Sequence, residues 1–399
     1  MLQRIEYLAK LIGYRDTELI KVITGIRRSG KSTLLELYRS WLPENGISPE
    51  QIQNINFEDI SYSHLTDYKA LHDHILANCV SGQMNYIFLD EVQHVAGFQR
   101  AVDSLFIRKN IDLYITGSNA QLLSGELATL LSGRYIEINM LPLSFREYLS
   151  ADDGQYELVK KYHDYIANSS FPYSLKLRDD PAQIREYLGG IYNTIVLKDV
   201  VERKKITDAS MLERVIRFMF DNIGNLCSLK KIADTIVSSG RKISVNTVES
   251  YLSALTDSYI LYRAGRYDVS GKQFLKTGHK YYLADIGLRF YLLGNKISDL
   301  GRILENVVFL ELLRRGWELH IGKIDDMEID FIAQQGGGRM EYYQVALSVR
   351  DTATLERELR PLRKIKDNYP KFLLTMDDDP PSDSDGIFRI NVLDWLLSP

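Results

Sequence analysis

The sequence predicts an α/β protein of several domains, and three observations carry that expectation. Short β-branched or aromatic runs alternate with longer helical patterns through the first half, which favours a parallel sheet covered by helices on both faces. The stretch "TGIRRSGKST" (24–33) joins the first strand pattern to the first long helical one, with two glycines, a lysine and a serine at fixed spacing. From about Ile206 the pattern changes to three closely spaced helices, a basic hairpin and a second array of strands and helices. A chain of 399 residues is in any case too long for one compact core.

Strands are expected at 21–24, 51–56, 86–89, 111–116 and 135–138, with helices over 32–41 and 67–78 between them. Hydrophobic residues make up 45% of the chain, charged residues 26%, and the net charge is −4, so composition describes a soluble globular protein with no global pull toward nucleic acid. No apolar run approaches the roughly 18–20 residues of a membrane span, so no membrane association is expected. The charges scattered through "MLQRIEYLAK" argue against a secretory signal. Cys79 and Cys227 lack the paired spacing of a metal site and read as reduced thiols, which points to the cytoplasm.

Gly25, Gly30, Lys31 and Ser32 satisfy the phosphate-loop pattern G-x-x-x-x-G-K-[ST], with a strand before it and a helix after it. Backbone N–H groups of such a loop present partial positive charge to the β- and γ-phosphates of ATP; Lys31 adds a full charge, and the Ser32 hydroxyl can ligate Mg²⁺. Ser29 and Thr33 complete the candidate nucleotide-binding set. In "YIFLDEVQ" a strand ends in two carboxylates: Asp90 suits Mg²⁺ through its water shell, and Glu91 suits the polarisation of an attacking water. "LYITGSNAQLL" ends a further strand in small polar residues, of which Ser118 or Asn119 is placed to orient that water. "LSGRYIEI" sets Arg134 just before a strand, where an arginine can reach a γ-phosphate held by a neighbouring subunit.

These four elements in this order, followed by "LPLSFREYL", resemble the AAA-type ATPases of a widespread prokaryotic group that carries a C-terminal domain of unknown function. "IYNTIVLKDVVERKKI", "KYYLADIGLR" and "YYQVALSVRD" resemble the same group, so the likeness spans nearly the whole chain. It implies an AAA sheet order over 1–141, a helical lid over 142–205, assembly into a homo-oligomer, and Arg134 acting in trans. It also implies a lid arginine directed at the nucleotide, for which Arg185 and Arg203 are both candidates.

The segment 206–297 reads as a winged helix. "SLKKIADTIV" places Leu229, Ile232, Ala233, Ile236 and Val237 on one helical face behind a Ser228 cap. Ser244 caps a second helix with Val245, Val248, Leu252 and Leu255 inward, and a hairpin carrying Arg263, Arg266, Lys272, Lys276 and Lys280 follows. Thirteen Lys and Arg stand against nine Asp and Glu between Ile206 and Asp299, a local +4 that leaves −8 for the rest of the chain. That asymmetry favours contact with duplex DNA, mainly through phosphates.

The remainder, 298–399, resembles the restriction-endonuclease-like fold: Glu305 on a helix, Asp330 on a strand, and Gln344 and Ala346 on the next. In that family a lysine stands at the position of Ala346, beside the metal-binding carboxylates. A methyl group cannot replace it, so a nuclease-like domain without cleavage activity is expected. The leading function is therefore ATP binding and hydrolysis at subunit interfaces, driving or switching engagement of duplex DNA. An ATP-dependent nuclease and an ATP-regulated signalling or scaffold protein are the alternatives.

Overall fold

The computed structural model describes residues 4–123, 131, 133–151, 157–294 and 299–398, without the side chains of 121, 196–199, 203–204 and 276–277. The candidate side chains Arg203 and Lys276 thus lie outside the described residues. The chain divides into two compact units, Met1–Pro142 with Asp257–Tyr259, and Leu143–Thr256 with Ile260–Pro399. Among the described residues no helix is long and apolar enough to cross a membrane.

In the first unit, α1 (Ile5–Gly13), α2 (Lys31–Glu44), α3 (Tyr68–Ala77) and α4 (Phe98–Phe106) accompany five strands, β1 (Ile20–Thr24), β2 (Ile52–Asn56), β3 (Asn85–Asp90), β4 (Ile111–Thr116) and β5 (Tyr135–Asn139). All five pair in parallel, in the order β2-β3-β4-β1-β5. Successive side chains of a strand pass to opposite faces. Ile23, Phe88 and Tyr114 pack against Tyr7 and Leu11 of α1 and Leu34 and Tyr38 of α2. Val22, Leu89 and Ile115 face the other way, onto Leu71 and Ile75 of α3 and Val102 and Leu105 of α4. Burial on both faces is why these strands read as apolar runs rather than as an alternation.

In the second unit, α5 (Phe145–Leu149), α6 (Leu158–Asn168), α7 (Pro181–Ile191), α8 (Val200–Lys204), α9 (Ala209–Asp221), α10 (Leu229–Ser238) and α11 (Val245–Asp257) lead into the hairpin β6 (Leu261–Asp268) and β7 (Gln273–Leu283). Then follow α12 (Ile286–Leu293), α13 (Leu300–Arg314), β8 (Glu318–Ile324), β9 (Met327–Gln335), β10 (Arg339–Ala346), α14 (Thr352–Lys364), β11 (Lys371–Thr375), β12 (Ser382–Ser384), β13 (Ile387–Asn391) and α15 (Val392–Leu397). One eight-stranded sheet joins the strands in the order β12-β13-β11-β10-β9-β8-β6-β7. The hairpin is therefore no free-standing wing, since β6 pairs in parallel with β8.

Both caps expected for α10 and α11 are present: the Ser228 hydroxyl accepts from the Lys231 N–H at 3.2 Å and Ser244 from the Thr247 N–H at 3.0 Å. Ile232, Ala233, Ile236, Val248, Leu252 and Leu255 are buried as expected. Val237 and Val245 are not; each stands at the edge of its helix's apolar stripe and is 45% and 40% exposed respectively. Lys280, counted among the basic hairpin residues, is turned inward and buried.

The motif "LADIGLR" is a packing clamp. Asp285 caps α12 by accepting from the Leu288 N–H at 2.9 Å, and it also accepts from the Ser170 N–H at 2.7 Å and the Ser169 and Ser170 hydroxyls at 3.0 and 2.7 Å. Burial pushes its carboxyl above the ordinary aspartate value, with these donors pulling the other way. Arg289, fully buried, donates to the Phe220 carbonyl at 2.9 Å and pairs with Asp299. Gly287 lies so close to the chain at Ser169 that an added Cβ would stand 2.6 Å from the Ser169 Cα. Backbone cannot yield there as a flexible side chain would. We expect Gly287→Ala to lower unfolding stability by about 1–3 kcal/mol, read as a fall in the denaturant midpoint; an unchanged midpoint would refute the close packing.

Candidate functional site

The loop between β1 and α2 is shaped by two glycines. Gly25 has φ 136°, and a Cβ there would stand 2.2 Å from the Met140 carbonyl oxygen, so only glycine fits. Gly30, at φ 100°, immediately precedes α2. Arg4 braces the loop from behind: its guanidinium donates to the Ser29 carbonyl at 3.1 Å and to the Leu141 carbonyl at 2.7 Å, and stacks over Tyr7. The Tyr7 hydroxyl in turn accepts from the Leu141 N–H at 3.1 Å.

Lys31, the first residue of α2, is buried, and its ammonium donates to the carbonyls of Gly25 and Ile26 at 3.1 and 3.3 Å. The Glu91 carboxylate stands 3.9 Å away. Burial lowers the Lys31 pKa, and Glu91 and Asp90 offset only part of that. Ser32 is exposed beside it and Thr33 half-buried. The Ser29 hydroxyl is fully buried without a hydrogen-bond partner. A loop with no room for a Cβ at Gly25, an ammonium short of charge partners and an orphaned hydroxyl together fit a triphosphate with its Mg²⁺.

Strands β3 and β4 are paired through Leu89 and Ile115, which brings the next residues, Asp90 and Thr116, side by side. The Thr116 hydroxyl donates to Asp90 and accepts from the Glu91 N–H at 2.9 Å. Glu91 is held in the left-handed region at φ 54°, which costs a non-glycine residue roughly 1–2 kcal/mol. Its carboxylate accepts from the Ser118 hydroxyl at 3.1 Å and from the Gln93 amide, both on Oε2, while Oε1 is the oxygen nearer Lys31. The structure thus brings together Gly25, Ser29, Gly30, Lys31, Asp90 and Glu91. Of the two water-orienting candidates, Ser118 contacts Glu91, and Asn119 follows it, half-buried. Thr116, Gln93 and Arg4 escaped the sequence reading, although Thr116 lies within the strand-end segment singled out there.

Arg134 stands apart from these residues. Because Ile20 pairs with Tyr135 while Thr24 pairs with Asn139, Arg134 lies at the opposite end of the sheet from the phosphate loop. It pairs with Asp103 at 2.7 Å and stacks over Phe106. Arg185 belongs to the second unit, where its guanidinium lies 5.6 Å from the centre of the Tyr291 ring.

Comparison with known proteins agrees with this geometry. Residues 17–149 match the AAA domain family, and residues 159–299 match a domain of unknown function (DUF8612). An uncharacterised protein of Haemophilus influenzae is 43% identical over 401 residues, spanning 100% of this chain and 99% of that one. The uncharacterised protein MJ1544 of Methanocaldococcus jannaschii is 31% identical over 384 residues, spanning 90% of this chain and 82% of that one. Among solved structures, a Walker-type ATPase of Pyrococcus abyssi superposes with a TM-score of 0.50 at 14% identity, over 73% of this chain and 96% of that one, a likeness of fold.

Replacing Thr116 with valine leaves the Asp90 carboxylate and the Glu91 N–H without their shared hydroxyl. We expect Thr116→Val to lose about 1–3 kcal/mol of unfolding stability and Thr116→Ser to retain it. Equal urea midpoints for the two variants would show that the hydroxyl bond does not hold the strand ends.

Proposed function

The chain belongs to the family of AAA-domain proteins that includes these Haemophilus influenzae and Methanocaldococcus jannaschii relatives, and we propose that it binds and hydrolyses ATP to switch its grip on a partner, duplex DNA. The observation that carries this reading is the meeting of Lys31, Asp90, Glu91, Thr116 and Ser118 at the C-terminal ends of three adjacent strands.

The backbone of 25–32 would cradle the phosphates, with Lys31 against the β- and γ-groups and Ser32 and Asp90 holding Mg²⁺. Bound there, Mg²⁺ would supply positive charge against the phosphate oxygens. Glu91 takes a proton from water as its oxygen attacks the γ-phosphorus and the bond to the β-phosphate oxygen breaks. Ser118 and Gln93 fix the Glu91 carboxylate for that task, and Asn119, next in sequence to Ser118, would orient the water. Arg134 serves the site of a neighbouring copy, stabilising the charge that builds on the transferred group. Its pairing with Asp103 is no obstacle, because a pair that is 45% and 29% exposed is worth only about 0–1 kcal/mol.

For the partner, the support is electrostatic. Lys230, Lys231, Arg241, Lys242, Arg263 and Lys272 are exposed around α10, α11 and the hairpin, and phosphate contacts from such side chains need no base sequence. In this reading 206–297 acts as a winged helix whose hairpin is anchored in the C-terminal sheet.

Lys31→Ala is expected to abolish ATP binding. Glu91→Gln should bind ATP but hydrolyse it about 10²–10⁴-fold more slowly, and Arg134→Ala should lose about 10³-fold or more in turnover. Mixing the Glu91→Gln and Arg134→Ala chains should then restore part of the activity, since a mixed interface can join an intact Glu91 to an intact Arg134. Rapid turnover by Glu91→Gln alone would sink its role, and a mixture no better than its components would sink the trans role of Arg134.

A further inference from the structure

Lysine is missing where a nuclease would have it, at Ala346, yet a lysine occupies the site all the same. Lys280, on β7, is 3% exposed, and its ammonium lies 2.9 Å from Glu305 Oε1, 2.7 Å from Glu328 Oε1 and 3.7 Å from Asp330 Oδ1. Burial disfavours the ammonium, but Glu305, Asp330 and Glu328 outweigh it and hold its pKa above the ordinary lysine value. The lysine therefore stays charged.

A divalent ion is what the nuclease resemblance implies between Glu305 and Asp330, and the residues do not fit one. The oxygen of Glu305 that meets Lys280 also accepts from the Tyr282 hydroxyl at 2.6 Å. Asp330 Oδ2 accepts from the Val345 N–H at 2.9 Å. Gln344, a neutral oxygen ligand in the nuclease reading, donates to Glu358 at 2.8 Å, and its oxygen faces the Asp330 N–H at 3.4 Å. The second Glu305 oxygen packs on Gly224, where an added Cβ would come within 3.2 Å of it. Among the described residues, no group of three His, Cys, Asp or Glu side chains is arranged to hold a metal. Glu305 Oε1 and Asp330 Oδ2 thus already have donors from this chain, and the Lys280 ammonium is the cation nearest Asp330 Oδ1.

We propose that Lys280 is a resident cation: its ammonium takes the place that a divalent ion holds between the carboxylates of a nuclease-like site, so the C-terminal sheet keeps that arrangement without metal and without phosphodiester cleavage. This rests on the nuclease-like reading of 298–399 and is independent of ATP hydrolysis. The lysine also fastens β7 to α13 and β9, tying the hairpin to the nuclease-like half.

The test is Mn²⁺ binding to the nucleotide-free full chain, followed by electron paramagnetic resonance and thermal melting. Wild type and Glu305→Gln should bind Mn²⁺ indistinguishably. Lys280→Ala should melt lower than wild type in metal-free buffer, gain one Mn²⁺ per chain and recover part of its melting temperature as Mn²⁺ is added; Lys280→Ala with Asp330→Asn should not. A wild-type Mn²⁺ site that Glu305→Gln removes would overturn the proposal, as would Mn²⁺-dependent plasmid cleavage that Asp330→Asn abolishes. A folded Lys280→Ala chain that takes up no additional Mn²⁺ would overturn it too. The wild-type comparison decides the matter even if Lys280→Ala fails to fold. Because nucleotide is absent throughout, the result is separate from the fate of the ATPase reading.

Discussion

A lysine can be buried only if something answers its charge, and among the described residues three buried lysines, Lys21, Lys31 and Lys280, organise the fold. Lys21, at the start of β1, pairs with Asp112, donates to the Thr17 carbonyl at 3.3 Å and lies over the Tyr114 ring. Lys280 sits among three carboxylates. Lys31 is different: it has two loop carbonyls, and its nearest carboxylate is 3.9 Å away. It lacks the directly bonded carboxylate that the other two have, and the sheet order places it beside Asp90 and Glu91. A triphosphate would complete it.

The same logic separates the polar residues that do chemistry from those that hold the fold. In "LADIGLR" the distinctive residues serve packing: Asp285 accepts from four donors, Arg289 holds a carbonyl and Asp299, and Gly287 lies against Ser169. Such a motif looks catalytic in a sequence because buried charge is rare. Here it is the means by which α12 is locked onto the chain at 169–170. Around Glu91, by contrast, a left-handed backbone is maintained by Thr116, Ser118 and Gln93, and strain held by several partners at one place is a mark of a working site.

The phosphate loop was legible in the sequence because its chemistry is local: ten consecutive residues carry the turn, the ammonium and the helix start. The central strands β1, β3 and β4 were legible because burial on both faces makes them continuous apolar runs. Thr116, Gln93 and Lys280 were hidden because each acts on a residue of another element or through a turn, and only pairing register brings them together. Lys280 was doubly hidden, since it lies among the basic residues of a hairpin whose cations Arg263 and Lys272 face solvent. The exposure of Val237 and Val245 shows the limit of periodicity, which sets the centre of an apolar stripe better than its edges. Arg4 gave no signal at all; a single arginine near a terminus does not announce that it braces a loop more than 20 residues on.

The central claim is that the site around Lys31 is coupled to the basic surface of α10, α11 and the hairpin. Steady-state ATP hydrolysis by the unaltered chain, with and without duplex DNA at low and at physiological salt, tests it most directly. The account predicts basal turnover that duplex DNA raises at low salt, with the increase fading as salt screens the phosphate contacts. Turnover that DNA leaves unchanged at low salt would contradict it and transfer the partner's role from DNA to protein.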